Sequence, residues 1–209
     1  MAANKLNILK PSVNNLTVRI FVRAAGLEFE EEGLPRGFLG ESCAIMAYLS
    51  NKHGLEQFYP SDPGRRAMID NANFYLIGTL YPLLARATYP ILAFGQYPGE
   101  VATSEADDDM KAKARSDAEA ALADPLDVFR SFFLAGQKFI GADHPSIADI
   151  RFAATLEFLR SIDYAFPAWA EEYIARMEET LGDAYSEPAQ DVRDYVAYVK
   201  SQAQEAAPA

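Results

Sequence analysis

Near the start of the chain, short apolar stretches alternate with turn residues in a pattern typical of a strand–helix–strand unit. The segment "KLNILK" alternates apolar and polar positions like a strand, and Pro11 and Ser12 then interrupt it. Over residues 14–25 the apolar side chains have the spacing of a helix packed against a sheet, and Gly26 ends that helix. The next segment, "LEFEEE", suits a second strand. We therefore predict a strand–helix–strand unit over residues 5–31, close to the ~30 residues that such a unit needs.

The second part of the chain has apolar positions that follow a helical period. The stretch 65–94 is apolar on most faces, and Pro82 within it predicts a kink, because proline frees the carbonyl four residues earlier. The stretch 146–163 is apolar nearly all round and opens with Ser146 and Asp149 in a variant of the capping box, which predicts a central helix. The other predicted helices cover residues 104–134, with Ser104 as the cap, 167–181 and 188–202.

The change from the mixed pattern to the helical pattern falls at the turn-rich segment "YPSDPG", residues 59–64. We therefore expect an N-terminal domain over residues 1–58, this segment as a linker, an all-helical C-terminal domain over 65–203, and a flexible tail over 204–209. The expected fold class is α+β and mostly helical.

The composition argues against several classes of partner. The chain has 209 residues, 50% of them hydrophobic, and a net charge of −11, which disfavours nucleic acids and anionic membranes. A single cysteine, Cys43, allows no internal disulfide, and the two histidines, His53 and His144, lie far apart, so we expect no metal. We find neither a signal-peptide pattern nor an apolar run of ~18 residues, and expect a soluble, cytoplasmic protein without membrane partners.

Glu41 and Ser42 open a predicted helix that follows a short apolar run. An acid and a hydroxyl at a helix start are ordinary capping groups. The same N-terminus also suits the carboxylate of a ligand, while the acid suits an ammonium group. Both interpretations stay open on the residues alone. We expect this helix to bury Ile45, Met46, Tyr48 and Leu49.

Three segments together resemble the glutathione transferase superfamily, with theta-like bacterial members and glutathione-dependent aryl-ether-cleaving enzymes as relatives. "ESCAIMAYLSNKHG" followed by "FYPSDPGRRAMID" is similar to the family's acid–serine helix and interdomain linker. "FIGADHPSIADI" is similar to the start of its central C-terminal helix, and "PSVNNLTVRIFVRAAGLEFE" resembles its first turn and helix. The resemblance implies a thioredoxin-like N-terminal domain, truncated in this chain, and an all-α C-terminal domain.

The resemblance also implies three site residues and a cofactor, glutathione. Ser12 stands where theta-, zeta- and phi-type enzymes have a catalytic serine, whose hydroxyl donates to the glutathione sulfur and favours the thiolate. Glu41 and Ser42 match the acid–serine pair that holds the γ-glutamyl end of glutathione. The alternative for Ser12 is a helix cap, with Asn14 or Asn15 as rivals for that position.

The segment between the second strand and the acid–serine helix is short for a complete glutathione-binding half. In the family this place contains a helix and a two-stranded hairpin that starts at a cis-proline. Only eight residues, 33–40, are present, whereas a hairpin alone takes about a dozen. We expect Pro35 to be a trans proline in a turn, and the grip on the middle of glutathione to be lost. An anionic ligand would then need a local base such as Lys10, Arg36 or Arg65.

Aromatic residues are concentrated in the first C-terminal helix and after the central helix. They are Tyr75, Tyr81, Tyr89, Phe94, Tyr97, Tyr164, Phe166 and Trp169. In the family such residues line a cleft for the electrophilic substrate, and plain core or interface is the alternative. The family also implies a dimer formed through helix 65–94, with a second copy or a catalytic paralogue as the partner.

Three functions are compatible with these features. The favoured one is a glutathione-transferase-like subunit without catalysis of its own, which stabilises a dimeric glutathione-dependent enzyme, including a heterodimer with a catalytic paralogue acting on aromatic ethers. The first alternative is an active glutathione transferase in which Ser12 stabilises the thiolate. The second is a non-enzymatic binder of hydrophobic ligands. The short segment 33–40 favours the stabilising subunit.

Overall fold

The computed structural model describes residues 4–9, 12–33, 40–89 and 107–205. The strands are β1 (Lys5–Ile8) and β2 (Glu30–Gly33). The helices are α1 (Val13–Ala24), α2 (Ser42–His53), α3 (Pro63–Tyr75), α4 (Tyr81–Thr88), α5 (Asp108–Ala121), α6 (Ala123–Val128), α7 (Ile147–Leu159), α8 (Ala168–Leu181) and α9 (Asp183–Glu205). Two π-helical segments, Leu76–Leu80 and Phe129–Leu134, follow α3 and α6, and a 3-10 turn, Arg160–Ile162, follows α7.

The N-terminal strand–helix–strand prediction is confirmed. Strands β1 and β2 pair in parallel, with Lys5 opposite Glu30 and Ile8 opposite Gly33. Parallel pairing requires a crossover, and α1 supplies it. Within the described residues no further strand joins this sheet. The segment with Pro35 lies outside the described residues.

Helix α1 is buried on most of its surface because α2, α7 and α9 all pack against it. Its inner residues, including Leu16, Ile20 and Phe21, are fully buried. Arg19 is only 2% exposed, and it donates to Glu31 of β2 at 2.9 Å and to Asp191 of α9 at 2.7 Å. Ion pairs of Arg19 therefore link α9 to the strand–helix–strand unit.

The central helix is α7, and the predicted capping box at its start is confirmed. All of its residues are buried. Ser146 accepts from the Asp149 N–H, while the Asp149 carboxylate accepts from the Ser146 N–H and hydroxyl at 2.8 and 2.6 Å. The same carboxylate accepts from the N–H groups of Ile140 and Gly141 and from the Tyr173 hydroxyl. The start of α7 is thus held by a network of hydrogen bonds centred on the Asp149 carboxylate.

Both halves share one hydrophobic core. The Phe58 carbonyl accepts from the Ile147 N–H at 3.0 Å, so the chain just before the predicted linker 59–64 contacts the first residue of α7. The Phe58 ring packs edge-on against Phe21 and His144. Helix α3 begins inside the predicted linker, at Pro63.

Three helix boundaries differ from the sequence prediction. The predicted helix 65–94 is interrupted by the π-helical segment just before Pro82, where we expected the kink, and residues 90–94 lie outside the described part. Helix α5 is capped by Asp107, whose side chain accepts from the Met110 N–H, so the Ser104 cap was wrong.

The third difference is in α9, which begins at Asp183 and includes Pro188, whereas we predicted a start at 188. Tyr185 and Ala189 are both fully buried. Packing on either side of the proline outweighs its poor helix propensity. Across the described part of the chain, no helix has the length and apolar character needed to cross a membrane.

Candidate functional site

Ser12 occupies the cap position of α1. Its backbone is extended, its side chain is half-buried, and its hydroxyl makes no capping hydrogen bond. Asn15 instead accepts from the Leu9 N–H at 3.1 Å, and Asn14 accepts from Arg151 at 2.6 Å. The helix start therefore uses none of these three side chains as a cap, and the serine hydroxyl is not committed to the helix.

The start of α2 is likewise without a side-chain cap. Glu41 takes the cap position and is exposed, while Ser42, the first helical residue, is 3% exposed. No acid lies in the first turn. The first backbone N–H groups of a helix have no intrahelical acceptor, so this end offers donors and the positive end of the helix dipole. The arrangement suits an anionic group.

The buried face of α2 is narrower than predicted. Met46 and Leu49 are buried, Ile45 is half-buried, and Tyr48 is 50% exposed. Tyr48 lies on the outer face, where the Lys52 ammonium is 5.6 Å from the ring centroid. The expectation that Tyr48 is buried was wrong, because only one face of this helix contacts α1 and α7.

Sequence reasoning missed the most unusual charge near these helix starts, Arg151 of α7. It is 2% exposed, and its Nη1 donates to Asn14 at 2.6 Å and to Thr17 at 3.5 Å. Its guanidinium lies 5.1 Å from the ring centroid of Tyr81. Burial lowers the pKa of Arg151. The sequence carried one signal: this arginine interrupts the apolar segment "SIADIRFAATLEFL".

Within the described part of the chain, none of the three basic residues named from the sequence is found beside the starts of α1 and α2. Arg65 donates to the Gly141 carbonyl at 3.1 Å, and Lys10 and Arg36 lie outside the described residues. Cys43, the second residue of α2, is half-buried, and burial raises the pKa of its thiol while the charge of Arg151 acts against that shift. A raised thiol pKa disfavours the thiolate, so Cys43 is not an activated nucleophile.

The predicted aromatic residues do not form a single cluster. The hydroxyls of Tyr81 and Tyr89 lie 3.1 Å apart, and the Tyr81 ring centroid lies 5.1 Å from the Arg151 guanidinium. Trp169 stacks on Phe152 of the core, and Tyr75 is linked to the same rings through Phe133 and Phe129. Tyr164 packs against Phe166 in a separate pair. Phe94 and Tyr97 lie outside the described residues. Among the residues that are described, no group of three potential ligands could hold a metal ion.

Comparison with known proteins finds similarity to glutathione transferases. Residues 112–183 match the family model "Glutathione S-transferase, C-terminal domain". Glutathione S-transferase D6 of Drosophila melanogaster is 30% identical over 125 residues, which is 59% of this chain and 50% of that protein. Glutathione S-transferase D7 of the same organism is 29% identical over 118 residues, 56% of this chain and 45% of that protein. The chain spans about half the length of the curated relatives it matches.

Solved structures share the fold over nearly the whole chain. A human theta-class glutathione transferase, in complex with the glutathione conjugate of 1-menaphthyl sulfate, has a TM-score of 0.77 at 17% identity, covering 99% of this chain and 93% of that one. Glutathione S-transferase unclassified 2 from Bombyx mori has a TM-score of 0.72 at 22% identity, covering 93% and 97%. The short thioredoxin-like N-terminal part and the all-α C-terminal domain therefore have the fold of glutathione transferases, and residues 112–183 match the model of that family's C-terminal domain.

Proposed function

We propose that this chain is a glutathione-transferase-like subunit that has no conjugating activity alone and stabilises a dimeric glutathione-dependent enzyme. The observation that carries the proposal is the spacing between β2, which ends at Gly33, and α2, which begins at Ser42. A hairpin of two strands of ~5 residues with its turn does not fit in that interval. The strand that would pair with the middle of glutathione therefore has no room.

The loss of that strand weakens a glutathione site without removing it. Two backbone hydrogen bonds, worth ~0.5–1.5 kcal/mol each, would be missing, which corresponds to binding weaker by about 5- to 150-fold. Glu41 and Ser42 remain at the start of α2 and suit the γ-glutamyl end of the tripeptide. We propose them as a partial glutathione site in which the sulfur is poorly positioned.

The dimerisation surface that we propose consists of Phe74, Ile77, Val128 and Phe132. Phe74 is 74% exposed and Phe132 is 54% exposed. They lie on two segments that pack against each other, since Tyr75 contacts Phe133 between them. Exposed large apolar side chains on neighbouring segments are typical of an interface. The proposed partner is a chain of the same fold, a catalytic paralogue first and a second copy as the alternative.

The residues of this proposed surface make the interface predicted for helix 65–94 more specific. Leu76 is 1% exposed and Tyr75 is half-buried, so both contribute to the interior of the single chain. The adjacent Phe74 and Ile77 are the outward-facing residues. Residues 90–94 of that predicted helix lie outside the described part, and the proposal does not use them.

An active glutathione transferase is the second candidate, and one observation favours it. The Ser12 hydroxyl makes no capping hydrogen bond, so it is available to donate to a thiolate. The substrate class that we propose for the assembled enzyme, in either case, is aromatic ethers, because the Tyr81 ring lies beside Arg151, which donates to Asn14 at the start of α1.

Sedimentation and native mass spectrometry of the complex isolated from its source test the dimer. We expect a dimer for the wild type, and dissociation in the double variant Phe74→Asp and Phe132→Asp. Tyr198→Asp is the matched control, because Tyr198 is an exposed aromatic on α9, outside the proposed surface. A wild-type monomer at micromolar concentration contradicts the stabilising role.

Assays of glutathione conjugation and ether cleavage test the catalytic part. We expect negligible activity for the lone chain, and nearly unchanged activity of the assembled complex when Ser12→Ala is introduced. Calorimetry at millimolar glutathione supplies the binding measurement. Tight stoichiometric binding to the lone chain, with activity that disappears in Ser12→Ala, would replace this proposal with the active enzyme.

A further inference from the structure

A cavity of about 490 Å³ lies where the end of α7 meets α8 and α9. Among the described residues, its lining consists of Glu157 of α7, Arg160 of the 3-10 turn that follows, Glu178 of α8, and Arg193 and Val196 of α9. The volume is within the range of small-molecule sites, ~300–1,000 Å³. None of these residues belongs to the proposed glutathione site or to the proposed dimerisation surface.

Glu157 forms a fixed part of the cavity wall. Its side chain has no exposed surface. One oxygen accepts from Nη2 of Arg193 at 2.6 Å and from the Tyr185 hydroxyl at 3.0 Å, and the other accepts from Nε of Arg193 at 3.2 Å. This bidentate pair satisfies the carboxylate and holds the Arg193 guanidinium in one orientation.

Arg160 is satisfied less completely. Its Nη2 donates to Glu171 at 2.9 Å, whereas its Nε is buried and has no hydrogen-bond partner among the described atoms. An oxygen of Glu157 lies 3.6 Å from this Nε, which is an ion-pair distance and too long for a hydrogen bond. A buried donor without an acceptor is costly, so this N–H in the cavity lining calls for an acceptor from outside the chain.

The charges in and beside the cavity disfavour a plain anion as that acceptor. The charges of the four ionised lining residues cancel, and Glu171 beside Arg160 adds a negative charge, while Lys200 and Asp163 form a neutral pair. Glu178 is 38% exposed and accepts from Arg193 only at 3.3 Å, so its carboxylate can accept a further donor. The cavity therefore suits a ligand that has both an acceptor for Arg160 and a positive charge for Glu178.

We propose that this cavity binds a small zwitterionic α-amino acid with a branched aliphatic side chain, such as leucine. The ligand's carboxylate accepts from Nε of Arg160, and its ammonium group donates to Glu178. Val196 and the methylene stems of the arginines supply apolar surface for the ligand's side chain. The proposal goes beyond the subunit role and depends neither on dimerisation nor on glutathione.

Thermal unfolding of the full chain, at matched ionic strength, tests the ligand class with leucine and two analogues. The analogue 4-methylpentanoate keeps the branched chain and the carboxylate without the ammonium group, and 3-methylbutylamine keeps the branched chain and the ammonium group without the carboxylate. We expect leucine at millimolar concentration to raise the melting temperature, and both analogues to leave it unchanged. No response to leucine, or an equal response to either analogue, overturns the proposal.

Val196→Phe assigns the leucine response to this cavity, since the start of α2 also suits a ligand with both charges. The larger side chain fills part of the cavity and alters no charge, and we expect leucine affinity to fall by at least ~10-fold. Ala197→Phe is the matched control, because Ala197 is an exposed neighbour on α9 outside the lining, and it should bind leucine as the wild type does. A folded Val196→Phe protein with wild-type leucine affinity contradicts the assignment.

Arg160→Lys keeps the test decisive if Val196→Phe does not fold. Lysine retains the positive charge beside Glu157 and Glu171 and lacks the Nε–H of the guanidinium. We expect leucine binding weaker by about 5-fold or more, because a hydrogen bond to the ligand's carboxylate is lost. Titration calorimetry measures the affinities of all variants. Unchanged leucine affinity in Arg160→Lys would show that the buried Nε does not bind the ligand, and the proposal would then be wrong.

Discussion

The Tyr173 hydroxyl donates a hydrogen bond to Oδ1 of Asp149 at 2.8 Å, and both side chains are fully buried. The bond joins α8 to the start of α7. Burial, and then the neighbouring carboxylate, raise the pKa of Tyr173 well above its ordinary value. The Asp149 carboxylate also accepts hydrogen bonds from the N–H groups of Ile140, Gly141 and Ser146. One side chain therefore holds together the backbone around the start of α7.

Asp149→Ala should therefore be among the most damaging substitutions in the core. It leaves several buried donors unsatisfied, and we expect a loss of about 3–5 kcal/mol in the free energy of unfolding. Tyr173→Phe removes one hydrogen bond and should cost only about 1 kcal/mol. Urea unfolding of both variants measures the difference. Equal midpoints for Asp149→Ala and Tyr173→Phe would show that the carboxylate is not the centre of the network.

Arg19→Met should destabilise the protein, because it removes a buried guanidinium from two carboxylate partners. Its partners Glu31 and Asp191 keep 26% and 29% side-chain exposure, so both carboxylates regain water when the arginine is removed. We expect a loss of about 2 kcal/mol, below the range for fully buried pairs. Chemical unfolding measures it. An unchanged midpoint would mean that the ion pairs of Arg19 contribute nothing to holding α9 against α1.

Stability should fall at alkaline pH, with Tyr59 as one contributor. Its hydroxyl donates to both carboxylate oxygens of Asp70, and burial together with that carboxylate raises the pKa of Tyr59 to about 12. Because the folded-state pKa lies above the unfolded value of about 10, this stabilisation is present below pH ~10 and is lost as the pH rises to about 12.

The free energy of unfolding measured across this pH window checks the sign, and tyrosinate absorbance follows the ionisation. Tyr59→Phe should flatten the dependence in this window. A residual slope is expected from Tyr185, whose pKa burial and Glu157 raise well above the ordinary value. A wild-type protein whose stability rises between about pH 10 and 12 would contradict the assignment.

Gly141→Ala should be destabilising by about 1–3 kcal/mol, because a Cβ there would clash with the backbone carbonyl of His144. The turn cannot relax easily, since the Gly141 N–H donates to Asp149 and its carbonyl accepts from Arg65. Gly78→Ala is the control, since a Cβ at Gly78 meets no atom within 4 Å. The melting temperatures of the two variants compare a position where an added Cβ clashes with one where it meets no atom.

Local signals in the sequence predicted most of the fold. The alternation of "KLNILK", the helical spacing after it and the Ser146–Asp149 box each concern residues close in sequence, and all three appear in the structure. Pro188 misled the prediction of α9, because the packing of Tyr185 and Ala189 against the core is not visible in local propensity.

Only part of the candidate site could be predicted, because local sequence patterns do not show contacts between residues that are far apart in the chain. The helix starts at Ser12 and Glu41 are local features, and the structure has them as helix starts. Arg151 depends on a contact with Asn14, which is 137 residues away in the chain. Only the pairing of α7 with α1 shows that its charge lies at those helix starts.

The ion pair between Arg19 and Asp191 spans 172 positions, and this separation has a consequence for biosynthesis. The strand–helix–strand unit is synthesised well before α9, the helix that covers one side of α1. Contacts between distant parts of a chain form slowly and leave apolar surface uncovered meanwhile. The N-terminal unit should therefore need protection by chaperones during translation, and a nascent chain that stops before α9 should be recognised as unfinished and degraded.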